Sequence, residues 1–232
     1  MIPVNLELLL LVDTSGSVST AEYNLQKTGY VNAFMDPAIQ APIASFSAKG
    51  AVAYAEWSSG NEQQLRVPWT QLTDAAGATA FANAIADLST RPFSGSTAPG
   101  SAINWGVPPF ASNNFTGTYN TIDISGDGSQ NNGANTFNAA TAAWAAGISL
   151  DGLAVLGNES NLDTWSQTNI VTPDYGQLWT VAKLSDSSAF TAAVTTKIGQ
   201  EVLNPGGVPE PGKRAMLGGG LALLAPWRRR LA

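Results

Sequence analysis

Hydrophobic positions fall in short runs of strand length, separated by stretches in which apolar residues recur at helical spacing. Residues 6–12 end in Leu8-Leu9-Leu10-Leu11-Val12 and lead directly into Asp13. A continuous apolar run of this length is expected of a central parallel strand buried on both faces. The rival reading, the apolar core of a signal peptide, fails because Glu7 interrupts its start and no basic segment precedes it. Any export signal is expected upstream of this chain.

Ser19, with Glu22 three residues on, has the form of a capping box, and Tyr23, Tyr30, Val31 and Phe34 follow at helical spacing. That helix is expected to end before Pro37. Residues 50–57 and 64–69 read as two strands. They pair as an antiparallel edge hairpin across Ser58-Ser59-Gly60-Asn61. Residues 76–88 read as a helix, followed by the loop Ser94 to Gly100 and a short helix over 101–106. Further on, the pattern predicts strands over 119–125, 153–156 and 178–182, and helices over 137–146, 162–168 and 188–202. Strands alternating with helices imply an α/β fold, doubly wound, with a mostly parallel central sheet, one antiparallel edge strand and helices on both faces. No internal repeat is visible. The chain is expected to divide into a domain over 1–204 and a linker with a tail over 205–232, because the composition changes at Pro205-Gly206-Gly207.

Composition narrows the chemistry. The 232 residues suffice for one domain with a large core. There is no Cys and no His, which excludes thiol chemistry, disulfides, Cys/His zinc sites and Ser-His-Asp catalysis. The net charge is −6, but five of the 11 Lys and Arg lie in the last twenty residues. Before Val208 there are 6 basic against 16 acidic residues, about −10 for the body. Such a body repels phosphate backbones, so no nucleic-acid partner is expected. Charged residues are only 12% of the chain, and Ser, Thr, Asn, Gln and Gly take their place, as suits an exported protein.

Three segments then place oxygen ligands beyond predicted strand ends, where open α/β sheets bind their ligands. They are Asp13, Ser15 and Ser17 after the first strand, Thr97 in the loop Gly95-Ser96-Thr97, and Asp127 in Ser125-Gly126-Asp127-Gly128. Carboxylates and hydroxyls suit a hard divalent cation. Each segment has a blander use, as helix cap, loop threonine or turn residue. Asp123 to Gly128 also mimics the start of an EF-hand loop, but its twelfth position is Ala134, where a bidentate Glu is required. Asn114-Phe115-Thr116 and Asn158-Glu159-Ser160 match glycosylation acceptors, and Trp105, near the Thr97 loop, suits packing better than the site.

Taken together, these three segments resemble the metal-ion-dependent adhesion site (MIDAS) of von Willebrand factor type A (vWA) domains: Asp-x-Ser-x-Ser, then a distant Thr, then a distant Asp. The resemblance covers roughly residues 4–203. It implies a Rossmann-like fold and a bound Mg²⁺, with Mn²⁺ or Ca²⁺ as alternatives. Ser15 and Ser17 would bind the metal through their hydroxyls, Thr97 directly or through water, and Asp13 and Asp127 mainly through waters. An open metal position would accept a carboxylate from a protein or other acidic ligand. The resemblance implies a binding module rather than an enzyme. Two alternatives stay open: a metal-assisted hydrolase using bound water or Ser15 as nucleophile, and a structural component in which the metal only orders loops.

The tail has its own resemblance. Val208-Pro209-Glu210-Pro211, an apolar stretch over 215–227 and Arg228-Arg229-Arg230 are similar to the PEP-CTERM sorting signal of Gram-negative bacteria. That implies export to the cell surface or beyond, processing by an exosortase-type enzyme, and membrane contact only transiently through the tail. The apolar stretch is shorter than the roughly 20 residues that span a bilayer, and Lys213-Arg214 interrupts its start, so a disordered tail with an amphipathic end is the alternative.

Overall fold

The computed structural model describes residues 1–45, 50–157, 159–173, 175–203 and 205. The PEP-CTERM-like tail, including Pro209-Glu210-Pro211 and the terminal arginines, lies outside the described residues, as does Asn158 of the second glycosylation acceptor. Strand β1 (Ile2–Asp13) forms the spine. Its run of leucines divides by alternation. Leu8, Leu10 and Val12 enter one core with Tyr30, Phe34, Phe81 and Phe190, whereas Leu9 and Leu11 enter a second with Trp57, Ile103 and Ile122. Leu8, Leu9, Leu10 and Leu11 are fully buried, each worth about 1.5–3 kcal/mol of burial.

The remaining elements follow in chain order: α1 (Thr20–Met35), α2 (Pro37–Ser45), β2 (Gly50–Trp57), β3 (Gln63–Leu72), α3 (Ala75–Ala86), α4 (Pro99–Gly106), a 3₁₀ turn (Pro108–Ala111), β4 (Phe115–Gly126), α5 (Thr136–Ala145), β5 (Ile148–Val155), α6 (Leu162–Asn169), β6 (Leu178–Val181) and α7 (Ser187–Leu203). The six strands lie in the order β3-β2-β1-β4-β5-β6. All pairs are parallel except β2 with the edge strand β3. Helices α1, α2, α3 and α7 cover the first core, and α4, α5 and α6 the second. This is the doubly wound α/β architecture the periodicity implies. The sheet order reverses between β1 and β4, which places a crevice at their carboxyl ends.

Several elements differ from the sequence expectation: β4 begins at Phe115 rather than 119, β3 runs on to Leu72, and three further differences have clear causes. Strand β1 begins at Ile2, where it pairs with Phe115–Gly117 of β4. Strand β5 begins at Ile148 rather than 153, because Ser149, Asp151 and Gly152 dilute its apolar pattern. Helix α2 forms where the sequence reading placed no element, directly after the helix expected to end before Pro37. Pro37 takes its first position, Asp36 Oδ1 accepts the Ala38 N–H at 2.8 Å, and Ile39 and Ile43 are buried against α7 and α3 neighbours. Among the described residues no helix is long and apolar enough to cross a membrane.

Buried charge is compensated unevenly. Glu7, inside β1, accepts hydrogen bonds from Asn113 Nδ2 and the Gly117 N–H, so its charge serves to start β4. Deeper, the Lys197 ammonium of α7 pairs with Asp123 of β4, and both side chains are fully buried. Burial alone would pull the Lys197 pKa down, but Asp123, Tyr30 and Glu201 outweigh it and hold it above its ordinary value. Two further buried carboxyls, Asp151 and Glu201, face the same pair and each other. Burial, and then for Glu201 the Asp123 charge, raises Glu201 well above the carboxylate range. Burial pushes Asp151 up to about 7, with Asp123 adding to the shift.

A folded-state pKa raised above the unfolded one means that the native state binds the extra proton. The associated stability is therefore complete below about pH 4 and lost as pH rises through about 7. Wild-type stability measured by urea unfolding should fall relative to Asp151→Asn between about pH 4 and 7, by about 1 kcal/mol per pH unit at the steepest. A difference between the two proteins that does not change with pH would contradict this.

Candidate metal centre

Strand β1 ends at Asp13 and β4 at Gly126, and the two strands are hydrogen-bonded neighbours with Val12 opposite Ser125. Asp13 and Asp127 therefore leave the sheet side by side at the point where the strand order reverses. Asp13 is fully buried. Its Oδ1 accepts the Ser15 N–H at 2.6 Å, while its Oδ2 has no hydrogen-bond partner among the described residues. An ideal Cβ on Gly126 would lie 3.1 Å from that oxygen, so the glycine leaves the carboxylate its space.

The hydroxyls close on the same spot. Ser15 Oγ lies 3.1 Å from Ser17 Oγ, Thr97 Oγ1 donates to Ser15 Oγ at 3.4 Å, and Ser17 Oγ donates to Asp127 Oδ1 at 2.6 Å. All five sequence-predicted residues, Asp13, Ser15, Ser17, Thr97 and Asp127, are thus brought together from three loops. Ser15 and Thr97 are buried, Asp127 is half-buried and Ser17 is exposed, so the group opens to solvent on one side. That side faces a cleft of about 440 Å³ whose walls include Glu22, Asn131, Glu159 and Lys183.

Two side chains that sequence reasoning missed hold these loops. Arg91 donates to the Thr14 carbonyl at 2.7 and 3.1 Å and also to the Ser15 carbonyl, pinning the first loop from below. Asn131 accepts the Thr97 N–H at 2.9 Å through its side chain, and its own N–H donates to the Thr97 carbonyl at 3.0 Å. The serines of Ser58-Ser59, read as turn residues, also buttress the Thr97 loop: their hydroxyls accept the Gly95 and Ser96 N–H groups at 2.8 and 2.9 Å. Single Arg and Asn residues in loops carry no periodic signal; the polar density of Ser125 to Asn135 was the available hint. Trp105 packs against the second core and does not line the cleft.

Electrostatically the centre is strained. Burial, and next the neighbouring Asp127 charge, push Asp13 up to about 7. Burial likewise raises Asp127, against the Ser17 hydrogen bond. Among the described residues no three acidic side chains gather as a metal cage. Any ion here would depend on hydroxyl oxygens, which suit hard cations such as Mg²⁺ and Mn²⁺. The donor set fits such an ion: hard oxygens throughout, one buried carboxylate oxygen unsatisfied, and two like charges that a cation would reconcile.

Fold and site together define the chain as having a vWA fold, and solved vWA proteins resemble it. Proximal thread matrix protein 1 from the mussel byssus, with a zinc-occupied MIDAS motif, superposes with a TM-score of 0.63 at 15% identity, over 83% of this chain and 47% of that one. The pilus adhesin SpaC from Lactobacillus rhamnosus GG gives 0.60 at 16% identity, over 86% of this chain and 30% of the adhesin. A von Willebrand factor type A protein from Catenulispora acidiphila gives 0.54 at 14%, over 86% and 42%. This chain thus spans about half or less of the length of these structures. It belongs to the family described as "Protein of unknown function (DUF1194)", which matches residues 3–206. No curated protein matches it.

The close fit of the loops yields a test. A Cβ on Gly100, at the start of α4 just after Thr97, would stand 2.3 Å from the Ala134 carbonyl, which is backbone and cannot swing aside. Gly100→Ala should cost about 1–3 kcal/mol in urea unfolding, as overpacking does. A neutral result would show that the Thr97 loop and the loop after Asp127 are not held against each other.

Proposed function

We propose that this chain is a metal-dependent binding module in which Asp13, Ser15, Ser17, Thr97 and Asp127 hold Mg²⁺ or Mn²⁺ for capture of a protein or other acidic ligand. The observation that carries the reading is the meeting of these five side chains with the Asp13 Oδ2 buried and unpartnered. When bound, the ion supplies a Lewis-acidic position that accepts a ligand carboxylate. The chain's own residues do the rest. Arg91 and Asn131 fix the loops, Ser17 orients Asp127, and Lys183 on the cleft wall adds positive charge beside an incoming anion. The zinc-occupied MIDAS of the mussel protein and the adhesin role named for SpaC support the reading by fold analogy.

Export, cell-surface localisation and exosortase processing of the tail belong to the same proposal and rest on the Pro209-Glu210-Pro211 sequence. Binding is favoured over hydrolysis because no His exists and Asp13 and Asp127 are engaged with the loops. Lys183 does line the cleft, and it is exposed.

Differential scanning fluorimetry tests the reading. Adding about 10 mM Mg²⁺ or Mn²⁺ should raise Tm by several degrees, by mass action on the folded state. Asp13→Asn should cancel that shift while leaving the metal-free protein as stable or more stable, because a buried, repelled carboxylate is removed. No shift with either ion, or an undiminished shift in Asp13→Asn, would overturn the assignment.

A further inference from the structure

A second cleft lies on the other side of the molecule's chemistry, between α5 and α6. Its volume is about 500 Å³, within the usual range of about 300–1,000 Å³ for small-ligand sites. Phe137 and Trp144 of α5 line it and are 53% and 43% exposed. Among the described residues only four aromatic side chains are this exposed, and a third, Tyr175, stands two residues beyond the cleft's Pro173.

Seven residues apart, Phe137 and Trp144 share one stripe of α5, about 10 Å apart along the axis, which is roughly the length of two hexose rings. Between them the helix offers only Ala140 and Thr141. The two rings form two separate platforms in a cleft whose lining also includes Ala140, Val171 and Pro173. The opposite wall carries Val171 and Pro173 beside the polar Gln167, Thr168, Asn169 and Thr172, of which the last three are bonded to backbone, and no charged side chain lines the cleft although the body of the chain is strongly acidic. The Gln167 amide is exposed and has no hydrogen-bond partner among the described residues.

We propose that the α5–α6 cleft binds a neutral oligosaccharide, with Phe137 and Trp144 stacking on the C–H faces of two sugar rings and Gln167 hydrogen-bonding a hydroxyl between them. Stacking suits rings that are apolar on their faces and polar at their edges. Neutral amides donate to and accept from sugar hydroxyls without the desolvation cost of a charge. The absence of charge in the cleft matches the absence of charge in the ligand. This site is independent of the metal centre.

Native gels cast with hydroxyethylcellulose, soluble starch or galactomannan test it on the full chain. At least one of these neutral polymers should retard the protein. Trp144→Ala and Phe137→Ala should each weaken the retardation by about tenfold or more, and Gln167→Ala by less. EDTA and Asp13→Asn should leave it unchanged, which separates this site from the metal reading. Both aromatic side chains are solvent-exposed, so circular dichroism should report folded variants; Gln167→Ala serves if they are not. Failure of all three polymers to retard the chain would overturn the proposal, as would retardation that persists in the Phe137→Ala/Trp144→Ala double variant. Sedimentation velocity covers the remaining occupant: self-association abolished by the double variant, without polysaccharide binding, would make the cleft a contact between copies of the chain and refute the glycan site.

Discussion

Two carboxylates placed side by side at the reversal of strand order constrain everything around them. Parallel pairing of β1 with β4 forces Asp13 and Asp127 to leave the sheet together. In water such neighbours would cost little, but Asp13 is fully buried, and its carboxyl rises to about 7. Arg91 eases the Asp127 charge only as a minor contribution, and among the described residues no basic side chain forms an ion pair with either carboxylate. The chain surrounds the pair with hydroxyls and backbone N–H groups, which reduce the repulsion without neutralising it. Under the proposed function, a divalent cation would complete a site left short of positive charge in this way.

The contrast with the second buried charge cluster is instructive. There Asp123 receives Lys197 from α7, so one carboxylate is balanced by an ammonium of the chain itself. Asp123 and Asp127 lie four residues apart in sequence, yet one faces a core filled by α7 and the other a cleft open to solvent. Positive charge is supplied from within where the position is closed to solvent. Where the position is open, it is left to arrive from outside. The α5–α6 cleft follows a third rule, with neither charge nor compensation, and its aromatic rings remain uncovered.

Much of this was legible in the sequence because the fold relies on strong local signals. The leucine run of β1, the Ser19–Glu22 box and the hairpin at Ser58 to Asn61 each carry one dominant physical cause, and each element forms around the residues that signal it, although β1 and β3 extend beyond them. Helix α2 was hidden because prolines at 37 and 42 outweigh Ile39 and Ile43 in any local reading, whereas burial of those isoleucines decides the outcome. The start of β5 was hidden because Asp151 is an internal polar residue whose partners come from α7 and the loop before β6. At the site, the five oxygen-bearing residues were readable because their glycine-flanked motifs are local. Arg91 and Asn131 were not readable, because what they do is defined only by loops far away in the chain.

The central claim is that these five side chains hold one ion in common. Anomalous diffraction from crystals soaked in Mn²⁺ addresses it directly, since Mn²⁺ substitutes for Mg²⁺ at oxygen sites and scatters anomalously. The account predicts a single strong peak in contact with the hydroxyls of Ser15 and Ser17, facing Thr97 and Asp127 and open toward the cleft. An anomalous map with no peak there, or with its strongest peak at another acidic surface, would contradict it.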